Sequence, residues 1–99
     1  MSELVLRDNA YTILKDDYPD KSIFTLKSEN HVAICEMTND GTYDLKYRVG
    51  NDKLRSYNES VAPMDIVAFL NNKGFDPHGS KMFAKLIKMK SMKRAGSPY

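Results

Sequence analysis

The residues best suited to chemistry are few, and their spacing is poor for it. The chain has one cysteine and two histidines, Cys35, His31 and His78. Neither histidine has a cysteine or a second histidine at metal-ligand spacing, and both read as exposed residues, His31 in a turn and His78 near a helix start. Cys35 lies within the apolar run Val32-Ala33-Ile34-Cys35, where a thiol is buried and inert rather than nucleophilic. A lone cysteine also excludes an internal disulfide and a multi-cysteine zinc site. Asp16-Asp17 has no ligand loop around it and reads as solvated surface. Gly50 and Gly79 are isolated turn or cap residues, with no phosphate-cradling glycine loop or nucleophile elbow around them. No enzyme activity, metal or cofactor is expected.

Charge carries a stronger signal. The net charge of +2 hides an asymmetry: residues 1–72 carry eight basic and twelve acidic side chains, whereas 73–99 carry seven basic ones against Asp76 alone. Such a split suits an acidic body with a basic contact surface. Two basic groups stand out. Lys46, Arg48, Lys53 and Arg55 flank Gly50-Asn51, with Tyr57 just beyond. Lys81, Lys85 and Lys88 recur at helical spacing near the C-terminus.

Positioning these groups requires strands and helices, and the sequence supplies both. Four β-like runs, Ser22–Lys27, Val32–Met37, Thr42–Val49 and Asp52–Tyr57, are separated by turn residues. Strand side chains alternate with period two, so the apolar face tests the register. A four-residue connection over 28–31 sets Phe24 opposite Cys35 and Leu26 opposite Ala33. A three-residue loop ending at Gly41 sets Met37 opposite Tyr43, Cys35 opposite Leu45 and Ala33 opposite Tyr47. A two-residue loop at Gly50-Asn51 sets Tyr47 opposite Leu54. One continuous apolar face follows. On the other face the same register sets Arg48 opposite Lys53 and Lys46 opposite Arg55, beside Ile23, Val32 and Ile34. Either a helix or a second subunit should cover those three.

Two helices follow. Pro63 suits the first helical position, Ile66, Val67 and Leu70 form a stripe, and Gly74 stops the helix. The second begins near Asp76-Pro77 or at Ser80 and runs to about Arg94. Met82, Phe83, Leu86, Ile87 and Met89 share one arc, and Lys81, Lys85 and Lys88 share the opposite one. Before the sheet, residues 2–6 fit a short strand. The stretch after Asp8 or Asn9 fits a short helix placing Ala10, Ile13, Leu14 and Tyr18 near one face, or an extended segment. Tyr18-Pro19-Asp20 ends it.

The expected fold is therefore one α+β domain over 1–94, a four-stranded antiparallel meander followed by two C-terminal helices, with a flexible tail at 95–99. At 99 residues, 41% apolar and 28% charged, the chain has the composition of a globular domain. It has no apolar stretch of roughly 18 residues that would span a membrane. The N-terminus lacks the pattern of a signal peptide, and the cytoplasm is the expected compartment.

Four like charges facing across two strands disfavour folding slightly, whereas a polyanion would bind them with release of counterions. With Tyr57 as a stacking partner the pattern suits RNA or single-stranded DNA better than a duplex. A non-catalytic nucleic-acid-binding accessory protein is the first expectation, using Lys46, Arg48, Lys53, Arg55, Tyr57, Lys81, Lys85 and Lys88. The alternative is an inhibitor or adaptor that binds a host or regulatory protein through the apolar outer patch; a homodimer would cover the same patch. The overall character resembles small bacterial or bacteriophage accessory proteins, and no motif indicates a family.

Overall fold

A computed structural model describes residues 3–39, 43–56 and 63–95, and the side chains of all of these except 63–65 and 90–95. The described residues fold into six antiparallel strands and two helices. The strands are β1 (Glu3–Arg7), β2 (Thr12–Asp17), β3 (Lys21–Ser28), β4 (His31–Thr38), β5 (Tyr43–Val49) and β6 (Arg55–Ser56), and the helices are α1 (Pro63–Asn72) and α2 (Pro77–Ala95). Strand order in the sheet equals chain order, so strands adjacent in sequence are adjacent in the sheet. No helix among the described residues is long and apolar enough to cross a membrane.

The central register is the expected one. Phe24 pairs with Cys35 and Leu26 with Ala33; Met37 pairs with Tyr43, Cys35 with Leu45 and Ala33 with Tyr47. The inward positions of β2–β5 give Ile13, Phe24, Leu26, Ala33, Cys35, Met37 and Leu45, all at most 3% exposed. Period-two alternation pins this register because a slip of one residue would turn the whole apolar set to solvent. β3 and β4 are longer than expected and close over Glu29-Asn30, with Ser28 pairing His31 and Glu29 taking a φ of 55°.

Two expectations are settled or corrected. Of the two readings of the stretch after Asp8 and Asn9, the extended one holds and the helix does not: it is a hairpin turn and strand. Asp8 N–H donates to the Tyr11 carbonyl at 2.8 Å, and β2 then pairs with both β1 and β3. Ile13 and Leu14 therefore face opposite sides of the sheet. The second correction concerns β6. Asp52 N–H donates to the Val49 carbonyl at 3.2 Å and Gly50 has a φ of 62°, so the tight turn forms at Gly50-Asn51. Beyond it, however, Tyr47 pairs with Arg55 and Lys46 with Ser56. One extra residue enters the returning side, as in a β-bulge, and Leu54 is left 49% exposed. Tyr57 lies outside the described residues, as do 40–42 and the tail residues 96–99.

Both helices cover one face of the sheet. α1 begins at Pro63, whose missing N–H is no loss there. It ends in a Schellman motif: Phe75 N–H donates to the Leu70 carbonyl and Gly74 N–H to the Asn71 carbonyl, both at 3.1 Å. Gly74 has a φ of 98°, the left-handed conformation this cap requires, and Phe75 and Leu70 are both buried. Asp76 caps α2, its Oδ2 accepting from Gly79 N–H at 2.9 Å. Asp76 N–H donates to Ser28 Oγ at 3.0 Å, which ties that cap to β3. Ser80, Phe83, Ala84 and Ile87 form the buried line of α2, joined in the core by Ile66 and Leu70 of α1. Met89, expected on the apolar arc, is 58% exposed; the smaller Ala84 and Ser80 bring the helix close to its neighbours instead.

Candidate binding surfaces

The register places the outward side chains in three rows across the sheet. The central row runs Leu4, Leu14, Thr25, Ile34, Lys46 and Ser56. Toward the β3–β4 turn lie Arg7, Thr12, Lys27, Val32 and Arg48. Toward the other end lie Asp16, Ile23, Glu36 and Asp44. Among the described residues no helix covers this face, and Leu14, Ile23, Val32 and Ile34 are half-buried only by their neighbours within the sheet. The face is apolar along its middle, basic at one end and acidic at the other.

The extra residue before β6 separates the expected basic quartet. Lys46 and Arg48 point outward, opposite Ile34 and Val32. Arg55, paired with Tyr47, turns to the helix side, and exposed Lys53 lies in the connection before β6. The like-charge pair Lys46–Arg55 therefore does not form, and the β5–β6 pairing does not extend to Arg48 and Lys53. The four residues still share one edge of the sheet and wrap around it.

On the helix side of that edge a cleft of about 350 Å³ is lined by Tyr47, Val49, Asp52, Arg55, Asn72 and Lys73. Lys73 Nζ lies 5.6 Å from the Tyr47 ring centre and 5.4 Å from that of Phe69, and these rings meet edge-on at 4.9 Å. Such contacts hold an ammonium group without neutralising it. Two cations, an amide and a carboxylate can hold an anionic group that also carries a hydrogen-bond donor. Sequence reasoning missed Asn72, Lys73 and Tyr47 as lining residues. A lysine just past the C-terminus of a helix already has a local reason to be there, and only the tertiary fold sets it beside Arg55.

Lys81, Lys85 and Lys88 lie exposed along α2. At the opposite edge of the sheet a second groove of about 460 Å³ runs between β1 and α2, over Phe24, Leu86 and Met89, with Glu3 and Lys15 at its rim.

The chemically versatile residues serve packing. Burial pushes the Cys35 thiol up to about 12, with Asp44 and Glu36 adding to the shift. His31 is half-buried rather than exposed in a turn: its ring meets Phe75 edge-on at 5.2 Å and its Nε2 lies 2.9 Å from where a Cβ on Gly74 would sit. Its Nδ1 is buried without a hydrogen-bond partner. His78 Nδ1 is hydrogen-bonded to the Tyr11 hydroxyl at 2.7 Å. Burial raises the Tyr11 phenol above its ordinary value, so at neutral pH it stays protonated, and its hydroxyl donates to or accepts from that nitrogen according to the histidine tautomer. Among the described residues no three His, Cys, Asp or Glu side chains form a metal-binding group. No protein-family model, curated protein or solved structure matches this chain.

Proposed function

We propose that the protein is a small non-catalytic binding module for RNA or single-stranded DNA, held along the β5–β6 edge of the sheet. The observation that carries this reading is the collection of Lys46, Arg48, Lys53 and Arg55 with Lys73 at one edge. Among the described residues Asp52 lines the same cleft and Asp44 lies 3.9 Å from Lys46. A strand running over this edge meets cations on both faces, with Arg55 and Lys73 flanking one cleft of roughly nucleotide size. Lys81, Lys85 and Lys88 offer further phosphate contacts along α2.

Fluorescence anisotropy with labelled RNA, single-stranded DNA and duplex DNA at two salt concentrations tests the reading. Affinity should fall steeply with salt, by a slope of about 0.7 in log units for each phosphate contact to a single strand. Replacing Arg55 and Lys73 by serine should flatten that slope. Absence of salt-dependent binding to all three probes would remove the reading. A second reading, an adaptor or inhibitor docking on another protein, is favoured by the half-buried aliphatics of the outer sheet face.

A further inference from the structure

The outer sheet face breaks the usual rule for a one-sided antiparallel sheet, whose solvent side alternates to polar residues. Its middle carries Leu14, Ile34, Ile23 and Val32, flanked on β1 by Leu4 at 50% exposure. Its charges are sorted by end. Glu36 and Asp44 face each other directly across β4 and β5, a like-charge pair that disfavours the isolated sheet. Lys21 reaches Glu36 only at 3.5 Å and Lys46 reaches Asp44 only at 3.9 Å. At the other end Lys27 and Arg48 flank Val32 in one row.

We infer that this face is the interface of a homodimer in which two sheets pack face to face about a two-fold axis. The axis runs across the strands, along the Leu14–Thr25–Ile34 row. The charge pattern selects the occupant and the axis together. A two-fold axis between two facing sheets must lie in the plane of the interface. An axis parallel to the strands would set acidic end on acidic end. An axis across them sets the acidic end of one copy over the basic end of the other, Asp44 against Arg48 and Glu36 close to Lys27 and Arg48. The central row then meets itself, Ile34 on Ile34 and Leu14 on Leu14. Lys46 lies at the rim of that row, beside Asp44.

Size and shape are adequate. Five strands about 4.8 Å apart and about seven residues long at 3.3 Å each make a footprint of roughly 550 Å² before side-chain relief. That approaches the roughly 800 Å² per partner of a stable interface. Aliphatic side chains from two such faces fill the roughly 10 Å gap of an aligned sandwich, and a self-complementary patch is what a two-fold dimer requires.

The inference bears on the nucleic-acid reading: in the dimer Arg48 faces Asp44 of the other copy, which leaves Lys46 at the rim with Lys53, Arg55 and Lys73 for a bound strand. An axis across the strands keeps the β5–β6 edges of both copies on the same side. The two basic edges become neighbours, so a strand long enough to reach both gains by avidity.

Sedimentation velocity of the full chain over a range of concentrations tests the dimer. The expected result is a species of twice the chain mass. Ile34→Glu sets like charges against each other on the axis and should give the single-chain mass, with circular dichroism unchanged. Arg48→Asp and Asp44→Arg should each weaken the dimer by about tenfold or more, since like charges meet across the interface, and the double variant should restore it. A parent chain that stays single at low salt overturns the inference and leaves the face to a different protein. A doubled mass that survives Ile34→Glu, or a double variant no better than its singles, overturns it as well. Short-oligonucleotide binding by Ile34→Glu is read separately, so failure of either reading is recognised without the other.

Discussion

The two faces of this sheet are built from the same strands in the same register, yet among the described residues helices cover only one of them. On the inner face Ile13, Phe24, Leu26, Ala33, Cys35, Met37 and Leu45 pack into one core with residues of both helices and are almost wholly buried. On the outer face aliphatics of similar size, Leu14, Ile23, Val32 and Ile34, are half-buried, and among the described residues no helix covers them. The amount of apolar surface a strand offers does not decide its burial; the availability of a second layer does. An alternating sequence fixes which residues share a face but not whether that face is covered.

The largest effect should separate the faces. Phe83→Ala removes a fully buried ring beneath the sheet and should destabilise by about 3–5 kcal/mol in urea titration. Ile34→Thr on the outer face, measured in dilute protein, should change stability by less than about 1 kcal/mol. Equal losses would mean that the outer face is closed in the single chain. Gly74→Ala comes next. It combines a left-handed φ of 98° with a Cβ placed 2.9 Å from His31 Nε2, and should cost about 1–3 kcal/mol. An unchanged melting temperature would show that the α1 cap does not pack on the sheet as described.

The contrast between the faces also explains how much of the fold was legible in the sequence. The β3–β4–β5 register was legible because Phe24, Leu26, Cys35 and Leu45 cannot shift by one residue without exposing all of them. β2 was not resolved, because Ile13 and Leu14 satisfy a helical stripe or two opposite strand faces equally well; the sheet decided. β6 slipped for a related reason. Leu54 alone marked its inner face, too little apolar surface to hold the register against one inserted residue. The basic edge was therefore legible in composition and position, while the cleft of Arg55, Asn72 and Lys73 depended on a contact far apart in sequence.

A smaller effect reports the inner face alone. The ordinary thiol value is 9.0 and the folded value for Cys35 is about 12, so the unfolded chain loses this proton first as pH rises. Native stability from this group is complete below pH 9 and declines as pH rises toward the folded value. The decline should approach about 1.4 kcal/mol per pH unit within that window. Lysine and tyrosine titrations add to the raw curve, so the measurement is the difference between the parent and Cys35→Ala in chemical denaturation at several pH values. An identical pH slope in both proteins would place the thiol in contact with solvent. Slow reaction of the native thiol with a disulfide reagent is the parallel check.

The smallest expected effect decides the register of β6. Were the connection a plain two-residue hairpin, Lys46 would face Arg55, and neutralising both would reveal a repulsion of a few tenths of a kcal/mol. In the observed register Arg55 pairs with Tyr47 and lies on the opposite side of the sheet from Lys46. A double-mutant cycle of Lys46→Gln and Arg55→Gln should therefore show a coupling energy near zero. The cycle of Tyr47→Ala and Arg55→Gln should show a favourable coupling of a few tenths of a kcal/mol, as expected for directly opposed residues. The two cycles share Arg55, so any general change in the β5–β6 edge enters both, and only their difference reports which face the guanidinium occupies. A coupling that appears with Lys46 and vanishes with Tyr47 would move Arg55 outward, away from Lys73. That would dissolve the cleft while leaving the basic edge in place, and nucleic-acid contacts would then have to run along the outer rim of the sheet.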